Sequence, residues 1–89
     1  MAVFSQVSVT TTPTRLAPIN GNRKAIIFVN RGTADLYLGG SNAITVTPGP
    51  TNPAVQFRAQ EQLNFGADPS EFWAVSTSGT QRVDVIEIT

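Results

Sequence analysis

The chain has no cysteine and no histidine among its 89 residues. Without cysteine it can form neither disulfides nor thiolate metal sites, and without histidine it lacks imidazole ligands and the commonest general base. Disulfides and metals are the usual reinforcements of a domain too small to bury much of its surface. Oligomerisation or docking on a larger assembly is the compensation left, and we expect it here.

Charge is also scarce, since six basic and six acidic residues give a formal net charge of zero. A nucleic-acid-binding face needs a clear excess of positive charge. Here the basic residues are scattered, and we interpret them as solvated strand ends and turns: Arg15, Arg23, Lys24, Arg31, Arg58 and Arg82. We therefore expect no nucleic-acid partner.

No apolar run approaches the roughly 18 residues of a membrane-spanning helix. The first residues, MAVFSQVSVT, lack the basic and continuous apolar regions of a signal peptide. We expect no membrane partner, and synthesis and use from the cytoplasm.

The sequence also offers little for catalysis, because nucleophile–histidine arrangements are excluded. Asp68 and Glu71 flank Pro69 and could share a cation, but solvated loop charges are the simpler interpretation. Gly39 and Gly40 match no phosphate-binding motif, and we interpret them as supplying positive φ at a turn or bulge. We predict a protein that is not an enzyme and that has no cofactor and no metal site.

Alternation of apolar and polar residues predicts strands throughout. An Asn-Arg-Gly turn at 30–32 favours a hairpin between the second and third of them, and residues 11–23 are interpreted as a connection. The predicted strands are 4–10, 24–30, 34–39, 42–47, 54–59, 61–66, 71–76 and 82–88. Seven or eight short strands indicate an all-β fold, an antiparallel β-sandwich or jelly-roll-like barrel with an extended N-terminal arm. Residues 1–15 are predicted as that arm or as a first strand, and 16–89 as a single β-sandwich domain.

Four of the predicted strands carry apolar or aromatic side chains on both parities. Val83 and Val85 are followed by Ile86 and Ile88 on the opposite parity, which indicates either burial on both faces or a bulge near Val85. Tyr37 and Trp73 likewise oppose the apolar parity of their strands. They face either a second buried layer or an intersubunit or ligand surface. The run 24–30 is continuously apolar, which is typical of a strand buried on both faces.

The chain resembles a family of small structural proteins of tailed bacteriophages over roughly residues 10–88. The resembling residues are the segments 23–41, 57–65 and 71–88, with a loop containing Pro48, Gly49 and Pro50 between the first two. The typical pattern is a lead-in TT.T.L (11–16), a hairpin R..I.F.N.GTAD.YLGGS (23–41) and a C-terminal segment E..AVS.SGTQ.V.V.E (71–87), in which each dot stands for one residue of any type. The resemblance implies a virion component without catalytic residues.

Within that family a capsid decoration, or cement, protein is favoured, because the chain is little more than the β domain and its lead-in. The resemblance implies the major capsid protein and further copies of the chain, as a homotrimer, for partners, and a place on the capsid surface. A neck, tail or head-fibre protein, or a carbohydrate-binding adhesion module, remains open. The arm 2–10 could add to the sheet edge of a neighbour, leaving the domain folded without it. The predicted interface residues are Val3, Phe4, Val7, Val9, Arg15, Tyr37 and Trp73.

Overall fold

The computed structural model describes residues 1–46 and 54–89, so the predicted loop around Pro48–Pro53 lies outside the described residues. The described chain is all-β, which confirms the predicted fold class. None of it forms a helix long and apolar enough to cross a bilayer. Its strands are β1 (Ala2–Val9), β2 (Thr14–Ala17), β3 (Ala25–Asn30), β4 (Leu36–Gly39), β5 (Val55–Phe57), β6 (Gln62–Asn64), β7 (Phe72–Ser76) and β8 (Gln81–Ile88).

The strands form two four-stranded antiparallel sheets packed as a sandwich. The first sheet has the order β1-β8-β3-β6 and the second has the order β2-β7-β4-β5. Between them, the ring of Phe28 lies 5.1 Å from Phe72 and 5.9 Å from Phe65, measured between ring centroids. The fully buried apolar side chains of the core are Val9, Ile26, Phe28, Leu36, Phe57, Ala74 and Val83.

Strand β8 runs through the middle of the first sheet in unbroken register with β1 on one side and β3 on the other. The prediction of a bulge near Val85 is therefore wrong. Val83 and Val85 enter the core, and Ile86 and Ile88 lie half-buried on the outer face. Strand β3 is similar, because Ile26 and Phe28 are buried whereas its alternate residues are half-buried rather than covered.

The hairpin predicted between β3 and β4 is wrong, because the two strands belong to different sheets. Among its several crossings between the sheets, the chain passes from the first sheet to the second after Asn30 and from the second to the first between β7 and β8. An Asn-Arg-Gly turn can end a strand without returning the chain beside it. Whether the chain then returns beside the same strand or crosses to the other sheet depends on where the side chains before and after the turn are buried.

Two further strand predictions were wrong. Residues 14–17, interpreted as connection, form β2 with a register shift between Arg15 and Ala17, so the proposed boundary at 15/16 falls inside a strand. Short strands bounded by prolines show too little alternation to be detected. Conversely, residues 42–46 form turns and bends instead of a strand, although Ile44 is buried.

Of the two alternatives for residues 1–15, a first strand agrees with the structure and a separate arm does not, because Ala2–Val9 form an edge strand of the first sheet. All eight residues of β1 pair with β8, from Ala2 opposite Ile88 to Val9 opposite Gln81. Val9 is fully buried and Val7 packs against the core. Removing residues 2–10 would therefore take away part of the core, so the structure gives no support to the expectation that the domain folds without them.

Three polar side chains lie at the crossing after Asn30 and at the crossing between β7 and β8. We call these side chains, Asn30, Asp35 and Gln81, the crossover cluster. The Asn30 amide group lies 3.1, 3.3 and 3.1 Å from the carbonyl oxygens of Ala34, Phe57 and Arg58. Its own side-chain oxygen accepts from the Gly32 amide at 2.9 Å. A fully buried amide with this many backbone partners fixes the path of the crossing.

The other two members of the crossover cluster connect the two crossings. Gln81 Oε1 accepts from the backbone N–H groups of Thr33 and Ala34, and its amide donates to the Ser78 carbonyl. Asp35 accepts from the Ala59 N–H and from Gln56, and its carbonyl accepts from the Thr77 hydroxyl. The segments GTAD and SGTQ thus bind one another across the sandwich.

Arg23 is the second buried polar element and contradicts the interpretation of the basic residues as solvated. Its side chain is fully buried and lies 2.7 Å from the Glu87 carboxylate. It also donates to the carbonyls of Pro18, Asp68 and Ser70 at 2.8–2.9 Å, and its guanidinium carbon lies 5.7 Å from the centroid of Phe72. Arg23 therefore ties two loops to the central strand β8, a role that sequence analysis missed.

Candidate interaction surface

The outer face of the first sheet carries an apolar patch built by strands β1, β8 and β3. The strand register places Phe4, Ile86 and Ile27 side by side in one row across the three strands. The next row is Ala2, Ile88 and Ala25, and the row on the other side ends with Val29. We call this patch the first-sheet face: Ala2, Phe4, Ala25, Ile27, Val29, Ile86 and Ile88.

Phe4 stands out on the first-sheet face because its side chain is 73 % exposed. A groove of about 610 Å³ opens beside it, with Val29 and Ile86 also in its lining. Asp84 also lines the groove, from the central strand β8 between Gln6 and Val29, and it lies 3.2 Å from the Arg82 guanidinium and 3.8 Å from that of Arg31. These three charged residues form a charged rim along one side of the first-sheet face.

A solvated outer face of an antiparallel sheet normally carries polar side chains. Contiguous exposed apolar patches on soluble proteins usually mark interaction sites, and an apolar centre with a polar rim is the usual anatomy of an interface. The first-sheet face therefore suits contact with another protein surface. Sequence analysis selected Phe4 but missed Ile27 and Ile86, although the change of parity after Val85 was the signal for Ile86.

The remaining β1 residues of the predicted interface divide between exposed and buried positions. Val3 is 48 % exposed and shares the inward parity of Val7 and Val9. Val9 is fully buried, and Val7 is partly buried against the core. Val9 is therefore unavailable to a partner of the folded chain, because it already packs inside it.

The structure gathers the other three predicted residues on the outer face of the second sheet. Arg15 lies opposite Trp73, Gly39 flanks Trp73 on its other side, and Tyr37 lies opposite Val75. Val75 and Ile44 are each only 3 % exposed, and both lie outside the main core. These positions favour the second buried layer over an exposed ligand platform. Within the part of the chain that the structure describes, the buried Nε1 of Trp73 has no hydrogen-bond partner.

The predicted positive φ at Gly39 and Gly40 is wrong. Among the described glycines, Gly66 and Gly79 are the ones with positive φ, at 60° and 63°. Gly39 is the last residue of strand β4 and pairs with Trp73 of β7.

A smaller groove of about 250 Å³ lies beside Gly39 and Gly40 and includes Asp68 and Glu71 in its lining. Hydrogen bonds from Ser70 hold the pKa of Asp68 below its usual value. Within residues 1–46 and 54–89, no group of three or more acidic side chains is placed to hold a metal ion. The groove thus gives the two carboxylates no third ligand from the described chain.

Comparison with known proteins gives a likeness in fold. No protein-family model matches the chain, and no curated protein matches it. One similar solved structure is described as "Bacillus endospore appendages form a novel family of disulfide-linked pili". The similarity covers 98 % of this chain and 84 % of that one, with a TM-score of 0.50 and 10 % sequence identity. At that identity the likeness supports the β-sandwich fold.

Proposed function

We propose that the chain is a structural protein of a tailed-bacteriophage particle, a head decoration protein that docks on the coat shell through the first-sheet face. The observation that carries the proposal is the apolar patch centred on Phe4, which has no covering element in the described chain. The resemblance to small virion proteins indicates the kind of assembly that the chain joins, and the apolar patch is the surface through which we propose that it binds.

Burial of the first-sheet face on the coat protein would stabilise both partners. Each square ångström of apolar surface removed from water contributes about 25 cal/mol. Zero net charge leaves the chain without long-range repulsion from neighbouring copies packed on the same surface. The Arg31–Asp84–Arg82 rim can orient the contact, because charged groups at a rim affect specificity more than affinity. The mechanism is passive reinforcement of the shell.

A neck, tail or head-fibre role is the alternative within the same family. The pilus likeness suggests a third assembly, but the similar structure is described as disulfide-linked, and this chain has no cysteine. Any polymer that it forms is therefore not linked by disulfides of these 89 residues. The half-buried Tyr37 and Trp73 give little support to a carbohydrate-binding module, which needs exposed rings.

The proposal is tested by adding the purified chain to coat shells that lack it and measuring the bound copies by co-sedimentation. We expect the native chain to bind at a copy number comparable to that of the coat protein. Phe4→Asp places a charge at the centre of the patch and should abolish binding. The matched control is Val55→Asp, at a side chain that is 55 % exposed on a strand of the second sheet.

Two results would contradict the proposal. A handful of copies per particle would place the chain at a neck, tail or fibre position instead of the shell. Equal loss of binding in Phe4→Asp and Val55→Asp would show that the first-sheet face is not the docking surface. Both variants are compared with the native chain by circular dichroism, so that a folding defect is recognised.

A further inference from the structure

Strand β1 differs from the other outer strands of the two sheets. The other three, β2, β5 and β6, have four, three and three residues, and β2 also has a register shift and the charged Arg15. Strand β1 has eight residues, and no charged side chain or proline occurs before Pro13. Proteins protect edge strands by shortness, charge, proline or bulges. Strand β1 has none of these protections.

The hydrogen bonds at the start of β1 show which of its backbone groups face the free edge. Met1 and Thr89 exchange two backbone hydrogen bonds, so they form a hydrogen-bonded pair of the β1–β8 ladder. Such pairs alternate along an antiparallel ladder, which makes the odd-numbered residues of β1 the ones bonded to β8. The Arg31 N–H bonds the Arg82 carbonyl, so the even-numbered residues of β8 bond β3 instead, as this alternation requires.

The backbone N–H and C=O groups of four residues therefore face outward from the edge: Ala2, Phe4, Gln6 and Ser8. A second β1 strand, antiparallel and centred on Ser5, pairs Phe4 with Gln6 of the other copy and Ala2 with Ser8. This register satisfies all four residues on each strand with about eight backbone hydrogen bonds. A register centred on Phe4 leaves Ser8 unpaired. A register centred on Gln6 needs Thr10, whose carbonyl already accepts from the Ser76 N–H.

We propose that two copies of this chain associate through their β1 edges across a two-fold axis, which joins their first sheets into one continuous eight-stranded sheet. Side chains also fit this arrangement, because Val3 of one copy lies opposite Val7 of the other on the inward parity. The uncharged strand brings no like charges together. A second copy is favoured over a foreign strand because the edge is complementary to itself. This self-association does not depend on docking to a coat shell, and its two-fold symmetry differs from the trimer that the resemblance implies.

A single introduced cysteine tests the register directly, because the native chain has none. In the proposed pairing, Ser5 lies opposite Ser5 of the other copy in a non-hydrogen-bonded pair with about 4.5 Å between Cα atoms. That distance lies within the range of about 4.4–6.8 Å that disulfides span. We expect Ser5→Cys to form a disulfide-linked dimer on mild oxidation.

Ser8→Cys is the matched control, since Ser8 is another exposed serine of β1. In the proposed register the two Ser8 residues are separated by roughly 20 Å along the strands, so this variant should remain uncrosslinked. Equal crosslinking of the two variants, or crosslinking of Ser8→Cys alone, would overturn the register and with it the proposal.

Sedimentation equilibrium tests the association without crosslinking. The native chain should approach the mass of two chains, whereas Gln6→Pro should remain a monomer. Proline at position 6 removes an outward N–H and leaves the β1–β8 bonds in place, and proline is tolerated at such edge positions. A single-chain mass for the native protein up to about 1 mM, or a trimer mass, would contradict the proposal. If Gln6→Pro fails to fold, the comparison of Ser5→Cys with Ser8→Cys still tests the proposed pairing.

Discussion

The crossover cluster and the first-sheet face reverse the usual distribution of polar and apolar side chains. In the crossover cluster, Asn30 and Gln81 are polar and buried, and each binds several backbone groups. On the first-sheet face, Phe4 is apolar and largely exposed, and no strand of the described chain covers it. Buried polar groups with partners specify a fold. Exposed apolar groups without partners indicate what the fold presents to another protein.

The two regions also differ in what a substitution would change. Removing a buried polar side chain such as Asn30 leaves its partners unsatisfied inside the protein, whereas replacing an exposed apolar side chain such as Phe4 alters the surface and leaves the core intact. Substitutions in the two regions should have opposite effects on stability and binding.

The largest loss of stability is expected for Arg23→Ala. Removing one partner of a buried ion pair leaves the other uncompensated and costs about 3–5 kcal/mol. Here the change also removes donors to three loop carbonyls. The control is Arg58→Ala, at an exposed arginine, which should change the melting temperature little. Equal melting temperatures for the two variants, in a thermal melt followed by circular dichroism, would contradict the role assigned to Arg23.

A somewhat smaller loss is expected for Asn30→Ala. It leaves buried backbone groups of the crossing after Asn30 and of residues 57 and 58 without their partner, at about 2–3 kcal/mol for unsatisfied groups. Urea unfolding measures the free energy of unfolding, and Asn22→Ala, at an exposed turn, is the matched control. If the two variants unfold at the same urea concentration, the crossover cluster does not specify the fold.

The smallest effect on stability is expected for Phe4→Ser. A surface substitution of this kind should change the free energy of unfolding by no more than about 0.5 kcal/mol. The same variant should lose binding to the coat shell. A fall in melting temperature as large as that of Asn30→Ala would show that Phe4 stabilises the chain itself. Substitutions in the two regions would then not differ in their effect on stability.

Sequence analysis predicted the strands whose pattern of apolar residues lies within a short stretch of the chain. It missed the features that depend on partners far away in the sequence. Strands β3 and β7 lie within predicted strands, and β8 begins one residue before its predicted start, because the apolar residues of each form a pattern within a short stretch of the chain. The sheet to which a strand belongs was not predictable in this way. The partners of Asn30 include residues 27 and 28 positions away in the chain, and those of Gln81 are 47 and 48 away.

The candidate surface was predicted in part for the same reason. An exposed phenylalanine in β1 and the parity change in β8 were visible in the sequence, but their alignment in one row depends on the register of three strands. Arg23 was misassigned because the carboxylate that it binds lies 64 positions further along the chain. Charge alone does not distinguish a solvated arginine from one that is paired inside the protein.

The position of β8 between β1 and β3 also determines the order in which the first sheet can assemble. Strand β8 follows the other seven strands in the chain, and both β1 and β3 pair with it. During synthesis, the uncharged β1 therefore emerges long before its partner. Such non-local pairing slows folding and exposes unpaired strands to aggregation. Strand β1, whose edge is the least protected in the folded protein, is thus also the strand that stays unpaired for the longest time during synthesis.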